Sequence, residues 1–264
     1  MNEIEALVTA ARRYCIDNYN YWSNEYSERR SGSDFPVYSY SENDYNLFPR
    51  YNALSAILHG IEYLVGSKFD NIEICRAKII KLGQTSQSIF TEGKNIIERN
   101  AIKEERDKFC HFIESIKSSE LKNVLPLPYR RRLKDSEREI IRQKLLNIWQ
   151  FDGGSWIPLV DINPSISTLF FNKDNLNEQD LKKIQDVITQ KADLNLYEIS
   201  EEQLDYEIES NDLQIDCYET VYCDKNLDWL IYGSHENTVA FGGNWLIDYM
   251  KQLFSDRKEK INKF

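Results

Sequence analysis

The spacing of apolar residues changes part-way along the chain, and this change constrains the fold more than any other feature. Before residue 125, apolar side chains recur every three to four residues, most clearly in Leu54–Val65, which predicts amphipathic helices. After residue 165, short segments rich in aromatic and β-branched residues predict strands. The sequence therefore predicts an α+β fold, in which a mainly helical N-terminal part precedes a smaller α+β part with a mostly antiparallel sheet.

The change in pattern also predicts two domains. Pro126 and Pro128 bound a short linker, which predicts a helical domain over 1–125 and an acidic α+β domain over 126–264. The boundary could instead lie near residue 153, where Gly153 and Gly154 follow the next helix.

Several local signals place individual elements. Residues 31–50 contain Pro36 and Pro49 and predict a Tyr- and Ser-rich loop. Ser136 and Glu139 have the spacing of a capping box and predict the start of a helix that ends at Gly153-Gly154, and Asn177 predicts the start of another. Strands are expected at 167–171, 194–199, 215–223, 228–232 and 238–241.

The net charge of −10 is concentrated in the second half of the chain. Residues 1–150 hold 23 Lys+Arg and 21 Asp+Glu, whereas residues 151–264 hold 10 and 22. Because an acidic surface repels phosphates, the sequence argues against a nucleic-acid partner. The run Arg130–Arg132 is expected to bind a phosphate or to pair with the acidic C-terminal part.

The cellular compartment is inferred from three features of the sequence. No stretch approaches the roughly 20 apolar residues that span a bilayer, so no membrane association is expected, and the first eleven residues lack the basic start of a signal peptide. The five cysteines are odd in number and irregularly spaced. They are therefore expected to be free thiols in a soluble cytoplasmic protein.

Acidic and apolar residues alternate between Asp193 and Asp228, which is the most informative pattern in the chain. The apolar residues indicate that this segment folds and holds its carboxylates on a fixed surface, where they would attract a basic protein. The expected partner-binding carboxylates are Glu201, Glu202, Asp205, Glu207, Glu209 and Asp212. The alternatives are a solvated acidic face without a partner and a site for a hard cation.

The segment Tyr232–Asn237 contains Ser234, His235 and Glu236, which are the candidate catalytic residues. No Gly-x-Ser-x-Gly motif is present, and adjacent residues seldom form a catalytic triad. The alternative is a hairpin turn in which Ser234 and Asn237 bond backbone groups.

Cys217 and Cys223 are six residues apart and would share one face of an unbroken strand. With His235 they could form a zinc site, but they lack the usual Cys-x-x-Cys spacing. We therefore expect two half-buried thiols, and we predict neither a metal site nor a cofactor.

These patterns favour a non-catalytic binding protein whose acidic C-terminal surface docks a basic protein. An immunity protein or antitoxin that inhibits a nuclease toxin is the concrete example, because such toxins need basic surfaces to hold nucleic acid. The alternative is a hydrolase or nuclease that uses the His235 and Glu236 loop with acidic neighbours, with or without a metal ion.

Overall fold

A computed structural model describes residues 1–33, 37, 39–154, 156, 167–191, 194–201 and 204–262. The chain divides into two compact units, Met1–Leu127 and Pro128–Phe264. The first unit is helical and the second contains an antiparallel sheet, so the predicted α+β fold is confirmed. None of the helices in these described parts is both long and apolar enough to cross a membrane.

The N-terminal unit is built from helices around one core. Its helices are α1 (Glu3–Arg29), α2 (Glu42–Glu62), α3 (Ile72–Thr85), α4 (Ile96–Ser115) and the short α5 (Ser118–Leu121), with a 3₁₀ turn at Ile89–Thr91. Leu7 of α1, Ile57 of α2, Ile79 of α3 and Phe109 of α4 are fully buried in the core that these helices share.

The prediction of a loop over residues 31–50 is wrong for its second half, because α2 begins at Glu42. Ser41 and Asp44 form a capping box, and the Asp44 carboxylate also accepts the backbone N–H groups of Ser31 and Gly32. A proline inside a helix costs about 3 kcal/mol. Pro49 nevertheless lies within α2, where its ring is buried, so the cap and tertiary packing outweigh its unfavourable propensity.

The C-terminal unit contains seven strands and three helices within the described residues. In chain order these are β1 (Arg130–Arg132), α6 (Asp135–Trp149), β2 (Thr168–Asn172), α7 (Glu178–Lys191), β3 (Asn195–Ser200), β4 (Tyr206–Glu209), β5 (Thr220–Cys223), β6 (Leu230–Gly233), β7 (Thr238–Gly242) and α8 (Asn244–Leu253). The strands form one antiparallel sheet in the order β1-β4-β3-β5-β6-β7-β2.

Helices cover both faces of this sheet. On one face, α7 and α8 pack Ile184, Ile188 and Met250 into a cluster with Phe171 and Phe241. On the other face, α6 packs Leu145 and Trp149 against residues of β5, β6 and β7. The sheet is therefore the middle of three layers.

The strand predictions are confirmed for β2, β3, β6 and β7 to within two residues, and Asn177 does cap α7. The segment 215–223 is a strand only from Thr220, and β1 and β4 were missed. Helix α6 begins earlier than predicted, because Glu137, rather than Glu139, accepts the backbone N–H of Lys134. It also ends earlier, since Gln150 adopts a left-handed conformation with φ 58°.

Candidate functional site

The ends of several strands lie side by side along one border of the sheet. We call this border the turn edge; it is formed by strand ends and the loops that follow them, not by an outermost strand. The end of β3 at Ser200 pairs with the start of β5 at Thr220, and Thr220 pairs with Gly233 at the end of β6. The start of β7 pairs with the end of β2 in the same way, with Thr238 opposite Asn172. The antiparallel order thus brings together loops that are distant in sequence.

The β6–β7 turn is held by its own side chains. The Ser234 hydroxyl lies 2.8 Å from the Thr238 hydroxyl and accepts the Glu236 backbone N–H at 3.1 Å. Asn237 adopts a left-handed conformation with φ 56°. Ser234 is buried, whereas His235 and Glu236 are exposed. Ser234 therefore serves the turn, as in the hairpin interpretation, and His235 is the candidate catalytic residue that remains accessible with Glu236.

His235 faces carboxylates from two other loops. Its Nδ1 lies 3.5 Å from Oε1 of Glu219, which directly precedes β5. Glu201, which directly follows β3, completes the group, and one ligand atom from each of the three side chains lies within 4.8 Å of the others. The backbone N–H of Glu201 also donates to the Glu219 carbonyl at 2.9 Å. One imidazole and two carboxylates thus converge at the turn edge.

A buried tyrosine orients one of these carboxylates. The Tyr232 hydroxyl donates a hydrogen bond to Oε1 of Glu201. Burial, followed by the hydrogen bond and charge of Glu201, raises the pKa of the Tyr232 hydroxyl well above its usual range. The hydroxyl therefore remains protonated, and so remains a donor to Glu201, at all ordinary pH values.

Three further carboxylates lie in the loops of the turn edge and are exposed. Asp174 accepts a hydrogen bond from the Asn237 side chain at 3.2 Å, which ties the end of β2 to the β6–β7 turn. The second is Asp216, whose Oδ1 lies 3.3 Å from Nζ of Lys173. Lys173 also donates to the Cys217 carbonyl at 2.5 Å. The third is Glu236. Together with Glu201 and Glu219, these make five carboxylates, which we call the acidic edge cluster.

The structure places the predicted docking residues differently from expectation. Asp205 is buried, with a side-chain exposure of 0%, and its carboxylate lies 3.0 Å from Arg138 and 2.7 Å from Arg142, both on α6. It also accepts the Ser200 backbone N–H at 3.2 Å. The expectation that Asp205 lies on an exposed surface is therefore wrong, because two arginines bury it beneath α6.

Glu207 is also buried. Its carboxylate lies 2.7 Å from Lys225, 2.9 Å from Arg131 and 3.0 Å from the Tyr129 hydroxyl. Burial acts to raise its pKa, but the hydrogen bonds from these three groups outweigh it and lower the pKa to about 2. Glu207 was expected to be exposed because it lies in an acidic segment. This expectation is wrong, because β1 places Arg131 directly opposite Glu207.

The remaining predicted carboxylates are divided between two edges of the sheet. Glu201 lies at the turn edge, whereas Glu209 and Asp212 follow the far end of β4 and belong to the opposite edge. Glu202 lies outside the described residues. The run Arg130–Arg132 forms ion pairs within the C-terminal unit. Arg130 pairs with Glu198 at 2.6 Å, and Arg131 pairs with Glu137 at 2.8 Å in addition to Glu207.

The cysteines are all free, as expected from their number and spacing, and all are buried, although Cys217 and Cys223 were expected to be only half-buried. Cys217 belongs to the core beneath α7 and α8, and Cys223 belongs to the core beneath α6. The idea that the two share a face is therefore wrong, because the strand that would have aligned them begins only at Thr220. Burial raises the pKa of the Cys217 thiol to about 12.

No protein-family model, curated protein or solved structure matches the chain. Its function therefore has to be argued from the turn edge itself.

Sequence reasoning identified His235 and Glu201 but missed what joins them. Glu219 and Asp216 were only two carboxylates among many in the acidic segment, and Asp174 and Tyr232 lay outside it. The useful signal was the strand order, because β3, β5 and β6 are antiparallel neighbours, so the end of β3, the start of β5 and the end of β6 lie side by side. An explicit pairing of the predicted strands would have placed Glu201 and His235 at one edge, but Glu219 lay inside the predicted strand 215–223 and reaches the edge only because β5 begins at Thr220.

Proposed function

We propose that this chain is a binding protein that docks a basic protein through the acidic edge cluster. The observation that supports this function is the convergence of five carboxylates at one edge of the sheet, with Lys173 as the one lysine or arginine among the described residues of these loops. Glu201 directly follows β3 and Glu219 directly precedes β5, and carboxylates positioned in this way by the sheet reduce the ordering cost of binding. The proposal moves the docking surface away from Asp205 and Glu207, which are committed to internal ion pairs.

An inhibitor of a basic toxin, such as an immunity protein, is the form of this function that fits best. A nuclease toxin needs a basic surface to hold nucleic acid, and an acidic edge of fixed shape complements such a surface. Charge complementarity of this kind chiefly accelerates association and excludes other partners. The chain would then act by covering the toxin's nucleic-acid surface and would need no catalytic step.

Charge reversal at the exposed carboxylates tests this proposal. The test variant is D174K/D216K/E236K, and the matched control is D186K/D248K/E259K, which changes the charge equally on exposed positions of α7, α8 and the 3₁₀ turn at Lys258–Lys260. Wild type and control should both recover the same basic protein from native lysate, and the test variant should lose it. The association rate with that purified protein should also fall steeply as salt rises from about 0.1 M to about 1 M, because the Debye length shrinks from about 10 Å to about 3 Å.

Two outcomes would count against docking at this edge. One is recovery of the same protein by the test variant with its fold intact by circular dichroism. The other is an equal loss in both triple variants, which would mean that overall charge, rather than the acidic edge cluster, governs the interaction.

The second candidate function is a metal-dependent hydrolase, and one observation favours it. His235 lies against Glu219 rather than Ser234, so the chemistry available at this turn is metal binding or proton transfer rather than a serine triad. Three protein ligands with an open position are typical of catalytic zinc sites. This candidate needs a bound ion, so a protein that binds none at the turn edge would exclude it.

A further inference from the structure

The group formed by Glu201, Glu219 and His235 differs from an ordinary patch of surface carboxylates. It combines one imidazole nitrogen with two carboxylate oxygens, and the three residues come from three separate loops. Carboxylates alone suit Mg²⁺ or Ca²⁺, whereas an imidazole shifts preference towards Zn²⁺ and similar transition ions. The donor set is therefore that of a borderline divalent metal ion.

The spacing also suits such an ion. The 3.5 Å between Nδ1 of His235 and Oε1 of Glu219 is longer than a normal hydrogen bond. Two ligands of a tetrahedral Zn²⁺ ion with bonds of about 2.0–2.1 Å stand about 3.3 Å apart, which is close to this separation. All three ligand atoms lie within 4.8 Å of one another, so one ion can contact them all after side-chain rotation.

The surroundings hold the ligands before any ion arrives. Tyr232 is buried beneath the site and donates to Oε1 of Glu201, which is the kind of outer contact that fixes a metal-binding carboxylate. Glu219 is held in a left-handed conformation with φ 46°. His235 remains half exposed, with a side-chain exposure of 52%, so an ion can enter from solvent.

We propose that Glu201, Glu219 and His235 bind one Zn²⁺ ion at the turn edge. The ion offsets the repulsion between two neighbouring carboxylates and leaves one coordination position for water or for a ligand atom from another molecule. This site does not depend on the docking proposal, because its ligands are all in one chain. Should docking also occur, the open position lies on the same edge that the partner would cover.

Calorimetric titration of the metal-free full-length protein with ZnCl₂ tests the site. Wild type should bind one Zn²⁺ ion per chain, and MgCl₂ should give no comparable signal. H235A and E219Q should each weaken Zn²⁺ binding by about 100-fold or more, since loss of even an outer contact costs about 10- to 100-fold. Y232F, which removes only such an outer contact, should weaken binding by about 10- to 100-fold. E259Q is the matched control, because it removes an exposed carboxylate outside the turn edge with the same charge change as E219Q and should bind as wild type does.

The absorption spectrum of bound Co²⁺ gives a second readout that a merely structural role would not change. Wild type and E259Q should show the intense visible bands of a low-symmetry site of four or five ligands, and H235A should lose them. The proposal is overturned if wild type binds no Zn²⁺, or if folded H235A and E219Q bind it as wild type does. The two proposals fail through different results: docking fails if D174K/D216K/E236K still recovers the partner, whereas the metal site fails if wild type binds no Zn²⁺.

Discussion

At the residue scale, Glu207 shows how a carboxylate in an acidic run can belong to the interior. Its neighbours in β4, Tyr206 and Ile208, face the core beneath α7 and α8, so Glu207 points to the opposite face of the sheet. Arg131 and Lys225 neutralise it there. A buried carboxylate with two cationic partners is a structural group, and its removal leaves charges that water cannot reach.

The lowered pKa of Glu207 predicts a pH-dependent contribution to stability. Its pKa is about 2 in the folded protein and near its ordinary value of 4.5 in the unfolded chain. The ionised form therefore stabilises the fold above about pH 5, and this contribution is lost as the pH falls towards 2. A shift of this size corresponds to about 3 kcal/mol at neutral pH.

The variant E207Q should be less stable than wild type by about 3 kcal/mol near pH 7, and the difference should shrink by about half near pH 3. Urea unfolding followed by tryptophan fluorescence at several pH values measures it. E236Q, which changes an exposed carboxylate, should stay within about 0.5 kcal/mol of wild type near pH 7. A difference between E207Q and wild type that did not vary with pH would contradict the role given to the Glu207 charge.

At the element scale, Arg50 joins three helices of the N-terminal unit. It lies on α2, its guanidinium is 2.7 Å from Glu105 and 2.8 Å from Glu104 on α4, and it packs 4.7 Å from the ring centre of Trp22 on α1. Glu105 is almost completely buried. The contacts explain why α2 persists through Pro49, because the residue after the proline is anchored to both neighbouring helices.

Replacement of Arg50 by alanine should destabilise the N-terminal unit by about 3 kcal/mol, since it removes one partner of a buried ion pair. Urea unfolding followed by far-ultraviolet circular dichroism measures this. The control is R29A, which removes an exposed pair with Glu25 one helical turn away and should cost no more than about 0.5 kcal/mol. Equal effects of the two substitutions would show that Arg50 contributes no more than a surface ion pair.

At the scale of the whole molecule, the chain consists of two units joined by an exposed segment. Residues 122–129 lie outside helices and strands, and Leu125 is 71% exposed. Exposed segments with few contacts are preferred sites of proteolysis. Trypsin under native conditions should therefore cut first after Lys122 and release Met1–Lys122 and Asn123–Phe264, as judged by mass spectrometry.

The variant K122Q removes the site of that cut and should slow the first cleavage without changing the fold. Arg30 precedes the segment that separates α1 from α2 and is the competing site. A first cut within α4 or within the sheet would contradict the division into two units.

Local sequence signals were sufficient to predict the fold class, the position of most helices and strands, and the free state of the cysteines. These follow from local periodicity, capping side chains and residue composition, which act over a few neighbouring positions. The short strands β1 and β4 were not predicted, because three arginines and an acidic run do not resemble buried strands. In the folded sheet each strand supplies counter-charges to the other. Tertiary packing sets which carboxylates are buried and which are exposed, because burial depends on the charges that distant segments bring. The convergence of Glu201, Glu219 and His235 has the same origin, since strand pairing, rather than sequence separation, sets the distance between their side chains.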